Sequence, residues 1–289
     1  MPIDNDIIHM VIPTYKRATV SQQKTLRSIP EYLHPHTTLV VRQEQVEDYQ
    51  HIADEFGCKI HALPHGSEGI AQARRQVAEW LEGTRYWVLD DDLTFRCIEW
   101  EYNEEKDRPY TETIPATADQ IRTAVIEVNR FMDEGFTFGA GQVANTPPSE
   151  KGYDICSRIW TNVFYSEKLP VHDIDWGEDH VMFPEDFHVA LQLLKSGHSS
   201  IILQKMRLSP AATNAAGGCA DYRTIENHNQ GQQMLADMHP EVVKVYEKIQ
   251  SAGPWKGIPK KALRIRWKDA YKLSGKQLPK LPSWAKGKE

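Results

Sequence analysis

The sequence of 289 residues lacks long apolar runs and is poor in cysteine. No stretch reaches the ~18 apolar residues that a membrane-spanning helix needs. The apolar stretch Ile7–Pro13 follows two acids, whereas a signal peptide would follow a basic segment. The four cysteines show no C-x-x-C spacing, which favours reduced thiols over a disulfide framework. We therefore expect a cytoplasmic protein without a membrane anchor.

The composition is that of a folded protein, with 40% hydrophobic and 26% charged residues. Its net charge of −6 is unevenly distributed. Residues 256–289 contain 11 basic and two acidic residues, a net of +9, which leaves −15 for residues 1–255. This basic segment also contains Trp267, Tyr271 and Trp284. Interleaved cations and aromatic rings are suited to a nucleic acid; the alternative is a tail whose rings pack back on the body.

Short apolar runs alternate with segments of helical period, a pattern typical of βαβ units and a parallel sheet. The predicted strands cover residues 7–12, 37–42, 59–63 and 86–89. Amphipathic helices are predicted over residues 46–56, 69–82 and 184–196, and another begins at Thr117, which forms a capping box with Gln120. The polar stretch 99–115 is expected to be an irregular loop. The sequence of residues 260–273 is compatible with a short helix.

Three consecutive aspartates, Asp90, Asp91 and Asp92, follow the predicted strand 86–89. Open α/β sheets bind ligands beyond the carboxyl ends of their strands. Adjacent carboxylates raise one another's pKa unless a cation is present. Because alternate residues of an extended chain point to the same side, Asp90 and Asp92 could share a Mg²⁺ or Mn²⁺ ion. The alternative is a polar turn in which an aspartate caps the next element.

The sequence resembles a GT-A fold glycosyltransferase in the order of four segments, namely residues 12–17, 69–75, 88–92 and 183–186. In that family a D-x-D motif holds a divalent ion on the diphosphate of a nucleotide sugar. The resemblance covers roughly residues 5–215. The segment Gly217–Arg223 is similar to DNA-base glycosyltransferases of phages and kinetoplastids. Those enzymes occur beside dioxygenases that hydroxylate thymine or 5-methylcytosine.

The resemblance implies a Rossmann-like α/β GT-A domain over residues 1–255, with a mainly parallel sheet flanked by helices. Its nucleotide-sugar half would span about residues 1–115 and its acceptor half about 116–255. A basic, aromatic C-terminal tail would follow at 256–289. The implied reaction moves a hexosyl or pentosyl group, with Mn²⁺ or Mg²⁺, from a UDP-sugar to a hydroxyl group. The preferred acceptor is a 5-hydroxymethylpyrimidine in DNA, contacted by the tail, in the host cytoplasm if the protein is phage-encoded.

The resemblance also assigns roles to individual residues. The nucleotide sugar would contact Pro13, Thr14, Tyr15, Arg17, Gly69, Arg74, Asp90 and Asp91. The metal ligands would be Asp90, Asp92 and His228, and the acceptor site would include Trp176, Glu178, Asp179 and Arg223. Of the neighbouring Arg74 and Arg75, only one can face the cleft, and Arg74 is preferred.

An acceptor hydroxyl has a pKa far above 7, so its attack needs a general base. By the resemblance, Asp186 at the start of a helix is the first candidate and Glu185 the second. The acidic pair Glu178 and Asp179 competes for this role. Acids in the first turn of a helix are also favoured by the helix dipole alone. In an enzyme that retains the anomeric configuration, these acids would have different roles.

Three alternatives remain open at this point. A polysaccharide, lipid or protein acceptor would explain the same motifs but leaves the basic tail unexplained. A nucleotidyltransferase would carry a glycine-rich phosphate loop after its first strand, where this sequence has Pro13, Thr14, Tyr15 and Lys16. A non-catalytic nucleic-acid-binding protein would not need acids around one cleft.

Overall fold

A computed structural model describes most of the chain. The described residues are 6–67, 69–103, 108–144, 146–147, 151–159, 162–177, 184–210, 224–251 and 255–286. Within them no helix is both long and apolar enough to cross a bilayer.

A ten-stranded sheet forms the centre of the described structure. Its strands are β1 His9–Pro13, β2 Thr37–Arg42, β3 Lys59–Leu63, β4 Tyr86–Leu89, β5 Thr94–Asn103, β6 Arg108–Pro115, β7 Phe138–Val143, β8 Tyr153–Ile155, β9 Asn162–Tyr165 and β10 Ser200–Ser209. Their order is β3-β2-β1-β4-β9-β7-β10-β5-β6, with β8 beside β10. Strands β1 to β4 form a parallel block, and β7 pairs in parallel with β10. The pairs of β4 with β9 and of β10 with β5 are antiparallel.

Helices cover both faces of this sheet. They are α1 Lys24–Ser28, α2 Val46–Phe56, α3 Gly69–Trp80, α4 Ala118–Asp133, α5 Glu185–Lys195 and α6 Ile225–Met238. Successive residues of β1 enter different cores: Val11 packs with the apolar faces of α3 and α5, whereas Met10 and Ile12 pack with those of α2 and α4. A sheet that is covered on both faces needs continuous apolar strands. The predicted α/β class is therefore confirmed.

Strand order places the candidate site. From β1 the chain crosses to β2 on one side, while β4 pairs with the other side of β1. Such a reversal of strand order opens a crevice at the carboxyl ends of the two central strands. The segment 14–17, which follows β1, and the triplet 90–92, which follows β4, meet at this crevice.

Several predicted elements have the expected bounds, including β2, β3, β4 and α2. The capping box of α4 is also present, since Thr117 Oγ1 accepts from the Gln120 amide at 3.2 Å and Gln120 Oε1 accepts from the Thr117 amide at 2.8 Å. The irregular loop predicted over residues 99–115 is wrong. Residues 99–103 lie in β5 and residues 108–115 lie in β6, two antiparallel strands in which Cys97 pairs with Ile114.

The basic C-terminal segment is built into the body. Strand β12, Pro259–Ile265, pairs with β11, Val243–Ile249, so a helix over 260–273 is wrong and only α7, Trp267–Lys272, is helical. The domain boundary expected at 255/256 falls inside this hairpin. Further along, the ring of Trp284 lies 4.6 Å from that of Phe131. The aromatic residues therefore pack back on the body, as the alternative expectation stated.

Candidate active site

The middle aspartate of the triplet anchors the loop after β1. Thr14 Oγ1 donates a hydrogen bond of 2.6 Å to Asp91 Oδ2, and Arg17 Nη1 forms an ion pair with Asp91 Oδ1. Burial raises the pKa of Asp91, although Arg17 and Thr14 oppose this shift. Lys16 adopts a positive φ of 55°, a conformation that side chains other than glycine adopt at some energetic cost. Asp91 thus holds this strained loop against the triplet.

Arg17 also contacts the next aspartate of the triplet. Its Nη1 lies 3.2 Å from Asp92 Oδ2. Burial would lower the pKa of Arg17, but Asp91 and Asp92 together raise it above its ordinary value. The backbone amide of Arg17 donates to the Tyr49 hydroxyl at 2.9 Å. One guanidinium is therefore fixed between two carboxylates at the rim of the crevice.

A second arginine joins the triplet to α5. Arg74 Nη1 lies 2.7 Å from Glu185 Oε1, and its Nη2 lies 3.2 Å from Asp90 Oδ1. Arg74 and Glu185 are both buried, and the net effect of the nearby acids raises the pKa of Arg74 despite its burial. Arg75 instead faces the surface, 3.7 Å from Glu79. The acids of the third and fourth motifs thus meet at one buried cation.

The surroundings of Asp90 raise the pKa of its carboxyl group strongly. Burial raises its pKa to about 7, Arg74 opposes this shift, and the neighbouring carboxylates of Asp92, Asp91 and Glu185 add to it. About a third of the side-chain surface of Asp90, 34%, still reaches solvent. A partly accessible carboxylate among like charges is favourably placed to meet a cation.

The aspartates of the triplet can bind a divalent ion only if another bound molecule supplies further oxygen ligands. In the described part of the chain, no group of three or more histidine, cysteine, aspartate or glutamate side chains could hold a metal ion. Asp90 and Asp92 each use one carboxylate oxygen in their ion pairs with arginine. Magnesium in nucleotide sites commonly takes one or two carboxylates and completes its shell with phosphate oxygens and water. Asp90 and Asp92 therefore suit an ion bound jointly with a diphosphate.

Asp186 lies at the buried start of α5, one residue beyond Glu185. Its Oδ1 accepts a hydrogen bond of 2.9 Å from the Phe187 amide. It lines a small pocket together with Arg74 and Tyr165. Burial raises the pKa of Asp186, and Arg74 and Arg158 oppose the shift. Since Glu185 is held by Arg74, Asp186 is the acid of this pair that carries no ion pair at salt-bridge distance within the described residues.

Two predicted site residues have other roles in the structure. Trp176, expected at the acceptor, is 3% exposed, lies in the apolar core and directs its indole N–H to the Val171 carbonyl at 3.4 Å. Core packing therefore buries the ring that was expected to contact the acceptor. His228, expected as a metal ligand, directs Nε2 to the Lys261 carbonyl at 3.0 Å and so binds the hairpin of β11 and β12.

The remaining predicted residues are distributed as follows. Pro13 is the last residue of β1. The guanidinium carbon of Arg42 lies over the ring of Tyr15, 4.1 Å from the ring centroid. Gly69 begins α3 with a φ of +77°, which favours glycine. Glu178, Asp179 and Arg223 lie outside the described residues.

Sequence reasoning missed the polar residues that support the site. Thr25 in α1 donates its amide to the Asp91 carbonyl at 3.1 Å, and its hydroxyl accepts from the Leu93 amide at 2.9 Å. Gln23 Nε2 donates to the Arg17 carbonyl at 2.7 Å. The contacts of Thr25 join residues about 70 positions apart, and the contact of Gln23 lies in an irregular turn. Neither kind of contact follows from a regular spacing of residues in the sequence.

Residues 8–218 match the family described as TET-associated glycosyltransferase. The match covers more than half of the chain. The chain belongs to this family. It is therefore a glycosyltransferase, and the nucleotidyltransferase and non-catalytic alternatives are set aside.

Two phage enzymes are similar to this TET-associated glycosyltransferase over most of its length. Over 240 residues the chain is 28% identical to the beta-glucosyl-HMC-alpha-glucosyl-transferase of Enterobacteria phage T6. It is 27% identical to the enzyme of the same name from Enterobacteria phage T2. Each comparison covers 81% of this chain and 82% of the relative.

Solved structures are more distant. Glucosyl-3-phosphoglycerate synthase from Mycobacterium tuberculosis gives a TM-score of 0.47 at 10% identity, covering 90% of this chain and 87% of that one. Residues 1–349 of TarS from S. aureus give a TM-score of 0.45 at 13% identity, covering 80% of this chain. The chain spans 64% of that TarS fragment. Likenesses this distant assign no activity.

Proposed function

We propose that this glycosyltransferase moves a sugar from a UDP-sugar to a hydroxymethylated pyrimidine, or to a sugar already attached to one, in DNA. The observation that carries the proposal is that Arg74 contacts Asp90 and also lines a small pocket with Asp186, in a chain of the TET-associated family. The phage relatives support the acceptor, since their names specify transfer to beta-glucosyl-HMC.

The donor half of the crevice supplies charges for a diphosphate. Asp90 and Asp92 would hold a Mn²⁺ or Mg²⁺ ion, which as a Lewis acid stabilises the departing diphosphate. Arg17 lies beside Asp92, and a guanidinium suits phosphate oxygens. The strained loop 14–17 would lie against the nucleoside, as the resemblance implies.

Asp186 would act on the acceptor hydroxyl. In an inverting transfer, its carboxylate accepts the hydroxyl proton while the oxygen bonds to the anomeric carbon and the bond from that carbon to the diphosphate breaks. Burial raises the pKa of Asp186, which makes its carboxylate a stronger base. Glu185 keeps Arg74 in place and so fixes the geometry between donor and base.

The names of the phage relatives favour a second stereochemical course. They specify an alpha-glucosyl product. From an α-linked donor that product requires net retention, so the acceptor would approach from the side of the leaving group. The hydroxyl proton would then pass to the departing phosphate, and Asp186 would orient the acceptor instead of removing its proton.

Product analysis tests the reaction and its course. The protein with Mn²⁺ is incubated with UDP-glucose and duplexes that contain cytosine, 5-hydroxymethylcytosine, β-glucosyl-5-hydroxymethylcytosine or 5-hydroxymethyluracil. We expect a nucleoside mass gain of one hexose on at least one modified duplex and none on plain cytosine. The anomeric coupling constant of the product distinguishes inversion from retention. If a panel of other nucleotide sugars also leaves every modified duplex unchanged, the proposed function is wrong.

A further inference from the structure

The hairpin of β11 and β12 has a cationic face that the proposed chemistry does not use. Residues of this face form three directly opposed cross-strand pairs, namely Lys244 with Arg264, Tyr246 with Ala262, and Lys248 with Lys260. They share one face because side chains alternate across a strand. We call these six residues the ribbon face.

The opposite face of the hairpin packs on the body at the end that contains Val243 and Leu263. Val243 is buried in the core, and Leu263 packs against it. Lys261 donates from Nζ to Gln233 of α6 at 2.8 Å. The acid of β11, Glu247, also belongs to this opposite face by its pairing with Lys261. The ribbon face thus has four cations and no acid.

The charges of the ribbon face are poorly compensated. Like charges that lie directly opposite each other destabilise an antiparallel pair, and this face has two such pairs. Lys244, Lys248 and Arg264 are exposed and form no ion pair with a carboxylate among the described residues. Such a surface accumulates small anions, and a polyanion gains affinity when it displaces counterions.

The hairpin of β11 and β12 leads directly to a contact with the helix that contains the candidate base. The ring of Trp267, two positions beyond the end of β12, lies 5.4 Å from the ring of Phe187 in α5. The guanidinium carbon of Arg158 is 5.4 Å from the ring centroid of Phe187, the residue after Asp186. Tyr246 is 44% exposed. The hairpin is therefore linked through Trp267 to the start of α5, which contains the candidate base.

We propose that the ribbon face binds the phosphates of the double-stranded DNA that carries the acceptor base, an inference that rests on the proposed function. Seven paired residues make a ribbon about 20 Å long, which spans several phosphates. A group on C5 of a pyrimidine projects into the major groove, where a two-stranded ribbon fits. The ribbon face contains Lys244 and Lys248, which precede the basic C-terminal segment, and Lys260 and Arg264, which belong to it.

The test replaces three exposed cations together, Lys244→Gln, Lys248→Gln and Arg264→Gln. A matched control replaces three exposed lysines outside the basic C-terminal segment, Lys59→Gln, Lys168→Gln and Lys205→Gln. Both proteins are assayed on the duplex that the wild type modifies, over a range of salt concentrations. Thermal unfolding verifies that each variant is folded.

We expect the ribbon variant to raise the KM for duplex about tenfold or more, with a smaller effect on kcat. The slope of log affinity against log salt should fall by about 3, one for each cation removed. The control should match the wild type in both. If the ribbon and control variants behave alike while the wild type modifies DNA, the inference is wrong and the proposed function stands. An equal loss on single-stranded DNA of the same sequence would also overturn the duplex assignment.

Discussion

At the scale of single residues, Arg74 holds the site together. It lies between Asp90 of the triplet and Glu185 of α5, and it is buried. Removing one partner of a buried ion pair leaves an uncompensated charge, which typically costs several kcal/mol. The helical spacing predicted that one of two adjacent arginines faces the cleft. It could not predict that this arginine binds an acid 111 positions away.

Replacement of Arg74 should therefore affect stability as well as activity. We expect Arg74→Met to lower the free energy of unfolding by about 3 kcal/mol, measured by urea denaturation. Arg75→Met is the matched control, since Arg75 lies nearer the surface and pairs there with Glu79, and it should change stability by about 0.5 kcal/mol or less. Equal losses for the two variants would contradict the buried role of Arg74.

The role of Asp186 predicts a loss of rate without a loss of donor binding. If Asp186 is the general base, Asp186→Asn should lower kcat by about 10²- to 10⁴-fold and leave the affinity for UDP-sugar unchanged. Because burial raises the pKa of Asp186, the rate of the wild type should fall with decreasing pH at a value above that of an ordinary aspartate. Measurement of kcat against pH checks this. A variant with near-normal kcat would exclude Asp186 as the base.

Other residue roles show the limits of sequence reasoning. Asp91 was expected at the nucleotide, yet its carboxylate is engaged by Thr14 and Arg17. Trp176 was expected at the acceptor, yet it is a core residue. Residue type and motif position place a side chain near a site, but its partners are set by distant parts of the chain.

At the scale of elements, local signals were reliable where they were strong. The apolar runs predicted the bounds of β2 and β4, and the capping box predicted the start of α4, because short-range interactions determine them. The hairpin of β5 and β6 was missed because its sequence is polar. Its alternation of polar with aromatic or β-branched residues in fact favours strands.

The capping box gives a prediction at this scale. Thr117→Ala removes the acceptor for the Gln120 amide and should lower the free energy of unfolding by about 1 kcal/mol. Thr123→Ala in the same helix is a control, since the exposed Thr123 only bonds back to the Asp119 carbonyl. Chemical denaturation measures both. A larger loss for the control would show that the cap does not stabilise α4.

At the scale of the whole molecule, the C-terminal segment completes the fold. The sheet order and the docking of this segment arise from contacts between distant residues, which composition cannot reveal. Tyr271 and Ala285 are buried, and Trp267 contacts Phe187 of α5. The apolar residues of this basic segment therefore stabilise the fold, while most of its cations remain exposed to solvent.

Truncation should reveal this structural role. Removal of residues 256–289 deletes β12 and α7, and each large apolar side chain lost from the core costs roughly 2 kcal/mol. We expect the truncated protein to lose its cooperative thermal transition by circular dichroism. A chain ending at Lys286 should keep it. Retention of the full transition after the longer truncation would show that the segment is dispensable for folding.

The central claim is that Asp90 and Asp92 bind a divalent ion together with the diphosphate of the donor. Titration calorimetry of UDP-glucose into the wild type and into Asp92→Asn, with and without Mn²⁺, tests it most directly. Asp119→Asn, an exposed carboxylate in α4, is the control. We predict that Mn²⁺ tightens donor binding at least about tenfold for the wild type and the control but not for Asp92→Asn. Equal enhancement by Mn²⁺ in all three proteins would contradict the account.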